Sequence, residues 1–182
     1  MPATIQTIEK PTRARALDTS TSYQDIGQER ITNGTFTDWS SASVNPNPDN
    51  WTVTNEDAAN HINESGGGGA AVYVSNDSAD LYITQAGVFE VGKTYRFRLD
   101  CTAHTAGSVG LWHNAAGDGT LASLSGVGSI DHVFTATGTG LTINQSGGTV
   151  NLTFDNASVK EVESFGNNNH GQIYSGRALE FD

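Results

Sequence analysis

The sequence predicts an all-β chain, an antiparallel sandwich carried on an extended N-terminal arm. Stretches in which apolar and polar residues alternate recur from Ile31 onward, the period of a half-buried strand. Clusters rich in Gly, Asn, Asp and Ser separate them and offer the backbone positions that tight reversals need. Charged residues make up only 16% of the chain, a balance that suits short strands joined by many turns rather than long helices.

A length of 182 residues suits one core with extensions. Residues 1–30 mix charge with Thr, Ser and Gln, show no sustained period, and contain Pro2 and Pro11, which discourage a continuous helix. They read as the extended arm. Residues 31–163 read as the sandwich. Residues 164–182 read as a linker, broken at Gly166, Asn167, Asn168 and Asn169, that leads into a short strand segment through Ile173, Leu179 and Phe181.

The clearest strand is 94–102, with Tyr95, Phe97, Leu99 and Cys101 on one face and Arg96, Arg98 and Asp100 on the other. Similar alternation predicts strands at 70–75 (Val72 and Val74 inward), 80–84 (Leu81 and Ile83 inward) and 108–113 (Val109 and Leu111 inward). Further strands are predicted at 129–135, 141–144 and 150–154. Turns fall at 66–69, 115–119 and 146–148. Evenly spaced strands of this kind close as a sandwich or barrel. Trp39 and Trp51 are expected to plug the core beneath the first strands.

A net charge of -11 argues against a phosphate-binding surface, so nucleic acid is not an expected partner. Lys10, Arg13, Arg15 and Arg30 crowd the first thirty positions, which leaves the body acidic. That asymmetry fits an arm that docks on an acidic neighbour, and equally a solvated tail. No run of eighteen apolar residues occurs, and residues 1–10 lack a basic segment followed by an apolar one, so neither a membrane span nor a signal peptide is expected. The single cysteine, Cys101, excludes an intrachain disulfide and lies on the apolar face of its strand, as a core residue would.

The five histidines (His61, His104, His113, His132 and His170) lack the close spacing of a metal site and read mostly as surface or turn residues. Glu56, Asp57, Asp77 and Asp80 sit in turn-like sequence, where solvated carboxylates are the simpler reading than a glycosidase pair. Nucleophile-elbow, phosphate-loop and dinucleotide motifs are absent. The chain therefore reads as non-enzymatic, with no cofactor and no metal. The more informative group is aromatic. Tyr73, Tyr82 and Trp112 lie opposite the aliphatic faces of their strands, where flat rings could stack on sugars, with Arg96 and Asp100 as hydrogen-bonding neighbours. Contact with another subunit, or an inward position after a one-residue slip of register, are the other readings.

Residues 32–39 (Thr32-Asn33-Gly34-Thr35-Phe36-Thr37-Asp38-Trp39) with Trp51-Thr52-Val53 form an opening signature, and Leu152-Thr153-Phe154-Asp155-Asn156-Ala157-Ser158-Val159-Lys160-Glu161-Val162 a closing one. On these residues the stretch 31–162 resembles the carbohydrate-binding-module-like jelly rolls of bacteriophage tail and appendage proteins and of secreted bacterial glycosidases. Gly166 to Gly171 and Arg177 to Asp182 look like the opening of a laminin-G or concanavalin-like sandwich. Many enzyme-linked modules of this kind hold a structural calcium through an acidic residue after the opening signature and an Asp near the last strand. Here Asp155 matches the second position, but Thr37 stands at the first.

The resemblance implies a structural component of a phage particle (fibre, appendage or decoration) located in the virion. It would act in assembly among other virion proteins and in contact with a host-surface glycan, as a homo-oligomer with a trimer favoured. The arm residues expected to dock on the particle are Lys10, Arg13, Arg15 and Tyr23, because an irregular segment gains order through a partner's surface. The alternative is a free-standing carbohydrate-binding module or adhesin fragment with Trp112, Tyr82 and Tyr73 as its platform.

Overall fold

The computed structural model describes residues 21–40, 46–77, 80–113, 120–146 and 148–166. Among these residues there is no helix, and eleven strands form two antiparallel sheets. In chain order they are β1 (Thr21–Asp25), β2 (Thr52–Thr54), β3 (Asn60–Glu64), β4 (Ala71–Ser75), β5 (Tyr82–Gln85) and β6 (Thr94–Ala106). They continue as β7 (Val109–Trp112), β8 (Ala122–Leu124), β9 (Gly128–Thr135), β10 (Leu141–Gln145) and β11 (Val150–Gly166). One sheet has the order β3-β4-β11-β6-β9, with β1 also paired to β11, and the other β2-β5-β10-β7-β8. The chain passes repeatedly from sheet to sheet, and only β3–β4 and β7–β8 are sequence neighbours that pair. This crossing pattern is that of a jelly-roll sandwich. Residues 24–163 form one unit; the other comprises 1–23 and 164–182, of which 21–23 and 164–166 are described, as ends of β1 and β11.

The core lies between the sheets and is built by strand alternation. Tyr95, Phe97, Leu99 and Cys101 of β6 face Leu81, Ile83, Leu111, Leu141 and Ile143 of the other sheet's strands and loops within one buried cluster. Phe36 sits at one end, stacked on Trp51 (5.4 Å between ring centroids) and edge-on to Phe154 (5.1 Å). Trp51 is buried and Trp39 packs partly buried against the cluster. At the other end Phe89, Tyr95 and Phe134 cluster with His113, which is 3% exposed and hydrogen-bonded through Nδ1 to Thr137 Oγ1 (2.9 Å). His113 is thus a core residue, contrary to the surface reading of the histidines.

The register of β4 is a second correction. Ala71, Tyr73 and Ser75 are buried, whereas Val72 and Val74 are half-exposed. A buried tyrosine needs a partner for its hydroxyl, and Tyr73 donates to the Leu81 carbonyl while its ring meets Phe154.

The chain enters the sandwich along β11, where the N–H of Ile26 donates to the Glu161 carbonyl (2.9 Å) and that of Arg30 to the Val159 carbonyl (2.9 Å). Between these, Glu29 caps an irregularity of β11 near Ser158. Its Oε1 accepts from the N–H groups of Arg30 (3.0 Å), Ile31 (3.1 Å) and Val159 (2.7 Å), and Oε2 from Ser158 Oγ (2.6 Å). Glu29→Ala strands these donors and is expected to cost about 1–2 kcal/mol in urea denaturation, with Glu29→Gln recovering part of it. A loss under about 0.5 kcal/mol would show that water replaces the carboxylate without penalty.

Candidate functional site

The residues expected to form one sugar platform separate into three places. Tyr73 is fully buried in the core and is unavailable to a ligand. Arg96 and Asp100 lie on β6, in the six-stranded sheet, while Tyr82 and Trp112 lie on β5 and β7, in the five-stranded one. The two groups therefore present to opposite outer faces of the sandwich.

On the six-stranded face Arg96 and Arg98 are absorbed in an ion-pair lattice. Arg96 Nη1 meets Asp25 Oδ1 (2.7 Å) and its Nε meets Asp131 Oδ1 (3.2 Å). Arg98 Nη1 meets Asp25 Oδ2 (3.1 Å) and its Nε meets Asp131 Oδ2 (3.3 Å). Asp25 belongs to β1 and Asp131 to β9, so two arginines of β6 tie elements on both sides of it. Asp100 accepts from Ser129 Oγ (2.5 Å) and Asn156 Nδ2 (2.9 Å), bonds that hold its carboxyl below the usual carboxylate range. These side chains serve the sheet itself.

The five-stranded face is different. Its registers align two outward cross-strand rows. One runs Thr52, Thr84, Thr142, Trp112; the other runs Thr54, Tyr82, Asn144, Gly110, Ser123. Tyr82 and Trp112 are half-exposed and flank the central strand β10 on a diagonal, two strand spacings across and two residues along, or about 12 Å apart at the backbone. Gly110 draws the indole into the second row: a Cβ there would lie 3.0 Å from Cη2 and 3.2 Å from Cζ3 of Trp112. The ring thus leans over Gly110, with Asn144 between it and Tyr82.

Asn144 is 6% exposed although it belongs to an outward row. Its Nδ2 donates to Asp80 Oδ1 (2.8 Å), and its Oδ1 has no hydrogen-bond partner among the described residues. The bond to Asp80 fixes which amide atom is left over, an acceptor closed to solvent on the strand that runs between Tyr82 and Trp112. Gly110 and Asn144 escaped the sequence reading as members of a site, and Asp80 was weighed there only as a loop carboxylate. The one local signal was Gly110 two residues before Trp112, on the same strand face, where the missing side chain leaves a slot for the ring.

The loop carboxylates have local duties. Glu56 accepts from the Ile62 N–H (3.2 Å), and burial raises its pKa. Asp57 accepts from the N–H groups of Ala59 (2.7 Å) and Asn60 (2.9 Å), which lower its pKa. Thr37 and Asp38 line a shallow cavity of about 410 Å³ with Glu29 and Asn33. The Asn33 side chain is occupied by the backbone of Thr37, Asp38 and Asp49, and Glu29 by the donors named above. Asp155 Oδ1 accepts the N–H of Asn156 (2.6 Å), and among the described residues no three His, Cys, Asp or Glu side chains gather. The position that calcium-holding modules fill with a carboxylate is Thr37, so the residues present do not fit that ion. Lys10, Arg13 and Arg15 lie outside the described residues; Tyr23, on β1, is 37% exposed.

No protein-family model matches the sequence, and no curated protein does. Among solved structures, the chain is similar to the CBM4 structure at 19% identity, with 72% of this chain aligned to 99% of that one and a TM-score of 0.43. It is similar to the K1 cleaved adhesin domain of Lys-gingipain from Porphyromonas gingivalis W83 at 12% identity, over 81% of this chain and 99% of that one, with a TM-score of 0.44. It is also similar to TmCBM61 in complex with beta-1,4-galactotriose, at 10% identity over 76% of this chain and 99% of that one, with a TM-score of 0.36.

Proposed function

We propose that this sandwich is a non-catalytic glycan-binding module whose platform is the outer face of the five-stranded sheet. The observation that carries the reading is the pair of half-exposed rings, Tyr82 and Trp112, on the strands either side of β10, whose Asn144 holds an acceptor without a partner among the described residues. Flat rings whose backbones lie on a diagonal of about 12 Å offer stacking surface to successive sugars of a chain, and polar atoms between them supply orientation. Asp80, the described carboxylate bonded to this sheet's outward row, holds the Asn144 amide, which favours binding over hydrolysis. A glycan array tests the reading directly. The wild type is expected to give reproducible hits, and Tyr82→Ala to weaken them about fivefold or more with an unchanged circular dichroism spectrum, as loss of one stacking ring implies. Silence on the array, or full affinity in Tyr82→Ala, would refute it.

The setting proposed for this module is a bacteriophage particle, where it acts in assembly and host contact as a homo-oligomer, with a trimer favoured. The opening and closing signatures support this, as does the arrangement of the chain around Ile26 and Glu161, which enters and leaves the sandwich side by side and so can be mounted from one side. Deletion of residues 1–20 should abolish incorporation into particles, and light scattering should give the mass of a closed oligomer. A monomer that reaches particles equally well without residues 1–20 would remove the virion setting and leave the glycan-binding reading standing.

A further inference from the structure

We infer that the platform selects neutral glycan chains and rejects those bearing carboxylates, an inference that rests on the glycan-binding reading above. Strands β2, β5, β10, β7 and β8 contain no lysine or arginine. The cations of the described residues are all elsewhere. Arg96 and Arg98 are held by Asp25 and Asp131, Lys93 by Glu90 and Glu161, Arg30 by Glu90, and Lys160 lies on β11 of the opposite sheet.

What the platform offers instead is acceptors. Asn144 Oδ1 is closed to solvent and has no donor among the described residues, so a sugar O–H or N–H reaches it only if the side chains over it shift on binding. Its amide cannot reverse to present Nδ2 without losing the bond to Asp80. The Asp80 carboxylate beside it is itself exposed. A sugar hydroxyl meets both groups as a donor. A uronate or sialate carboxylate brings no proton to Asn144 and sets like charge near Asp80, on a chain whose net charge is already -11. No guanidinium or ammonium on this sheet offsets that repulsion.

The test uses the full chain and the tightest neutral oligosaccharide from the array, compared by calorimetry with the same oligosaccharide oxidised at C6 to the uronate. The oxidised ligand is expected to bind about tenfold more weakly at low salt. The gap should narrow as ionic strength rises and screens the repulsion, and narrow again in Asp80→Asn. Equal affinity for the two ligands, or a gap that neither salt nor Asp80→Asn moves, would overturn the inference and leave the glycan-binding reading intact. Binding of no glycan at all would overturn both.

Discussion

Gly34→Ala is expected to destabilise the sandwich by about 3 kcal/mol or more, at the upper end for a single added methyl group. A Cβ at Gly34 would lie 2.0 Å from the Ala157 carbonyl oxygen and 3.1 Å from its carbon. Both atoms are backbone, so no side-chain rotation relieves the clash. The turn cannot simply lift off β11, because the Ala157 N–H donates to the Gly34 carbonyl (2.8 Å) across the same contact. Neither can the loop move freely. Asn33, with φ of 54°, binds the N–H groups of Thr37 and Asp38 and the carbonyls of Asp38 and Asp49, while its own carbonyl accepts from Trp51 Nε1. The opening segment is therefore fastened to the last strand next to Asn156, itself at φ 54°. Gly66→Ala is the control, since a Cβ there meets nothing within 4 Å. Urea denaturation should show a large fall in midpoint for Gly34→Ala and a change within about 0.5 kcal/mol for Gly66→Ala. A Gly34→Ala midpoint close to wild type would mean that the loop does not seat on Ala157.

This junction explains why the opening and closing signatures stand out in the sequence: their small and Asn residues meet in one backbone contact. Other parts of the fold were legible to different degrees, for physical reasons. Strand β6 could be read directly because large apolar residues alternate with charged ones, and only one register buries Tyr95, Phe97 and Leu99 while leaving Arg96 and Arg98 half-exposed. Strand β4 could not, because Val-Tyr-Val is apolar on both faces and periodicity carries no preference between them. Strand β3, Asn-His-Ile-Asn-Glu, looks like a loop until Asp57 and Ser75 are seen to satisfy buried Asn60. The site was half legible. Which way Tyr82 and Trp112 point follows from their strands, but sheet membership does not follow from alternation. Arg96 and Asp100 are near Tyr82 and Trp112 in sequence and on the opposite side of the sandwich, because β5, β6 and β7 belong to alternate sheets.

Trp112→Ala is expected to lower glycan affinity about tenfold to thirtyfold while leaving the folded structure in place, as removal of a central aromatic anchor does. The indole is half-exposed on the outer row, and the core beneath it is filled by Val109 and Leu111, which the substitution does not touch. Its position depends on Gly110, so Gly110→Ala offers a second, independent probe. The added Cβ would meet Thr120 Cγ2 at 2.8 Å and the Trp112 ring at 3.0 Å, both of them side-chain atoms that can swing aside. Gly110→Ala should therefore retain the tryptophan but tilt it away from Asn144, weakening binding about threefold to tenfold and shifting the Trp112 emission on ligand addition. If both variants bind glycan as the wild type does, the indole is not part of the platform. If Trp112→Ala loses binding while Gly110→Ala keeps it, stacking area matters and the lean of the ring does not. Loss in both, with unaltered urea midpoints, places recognition in the row formed by Tyr82, Asn144 and the indole over Gly110.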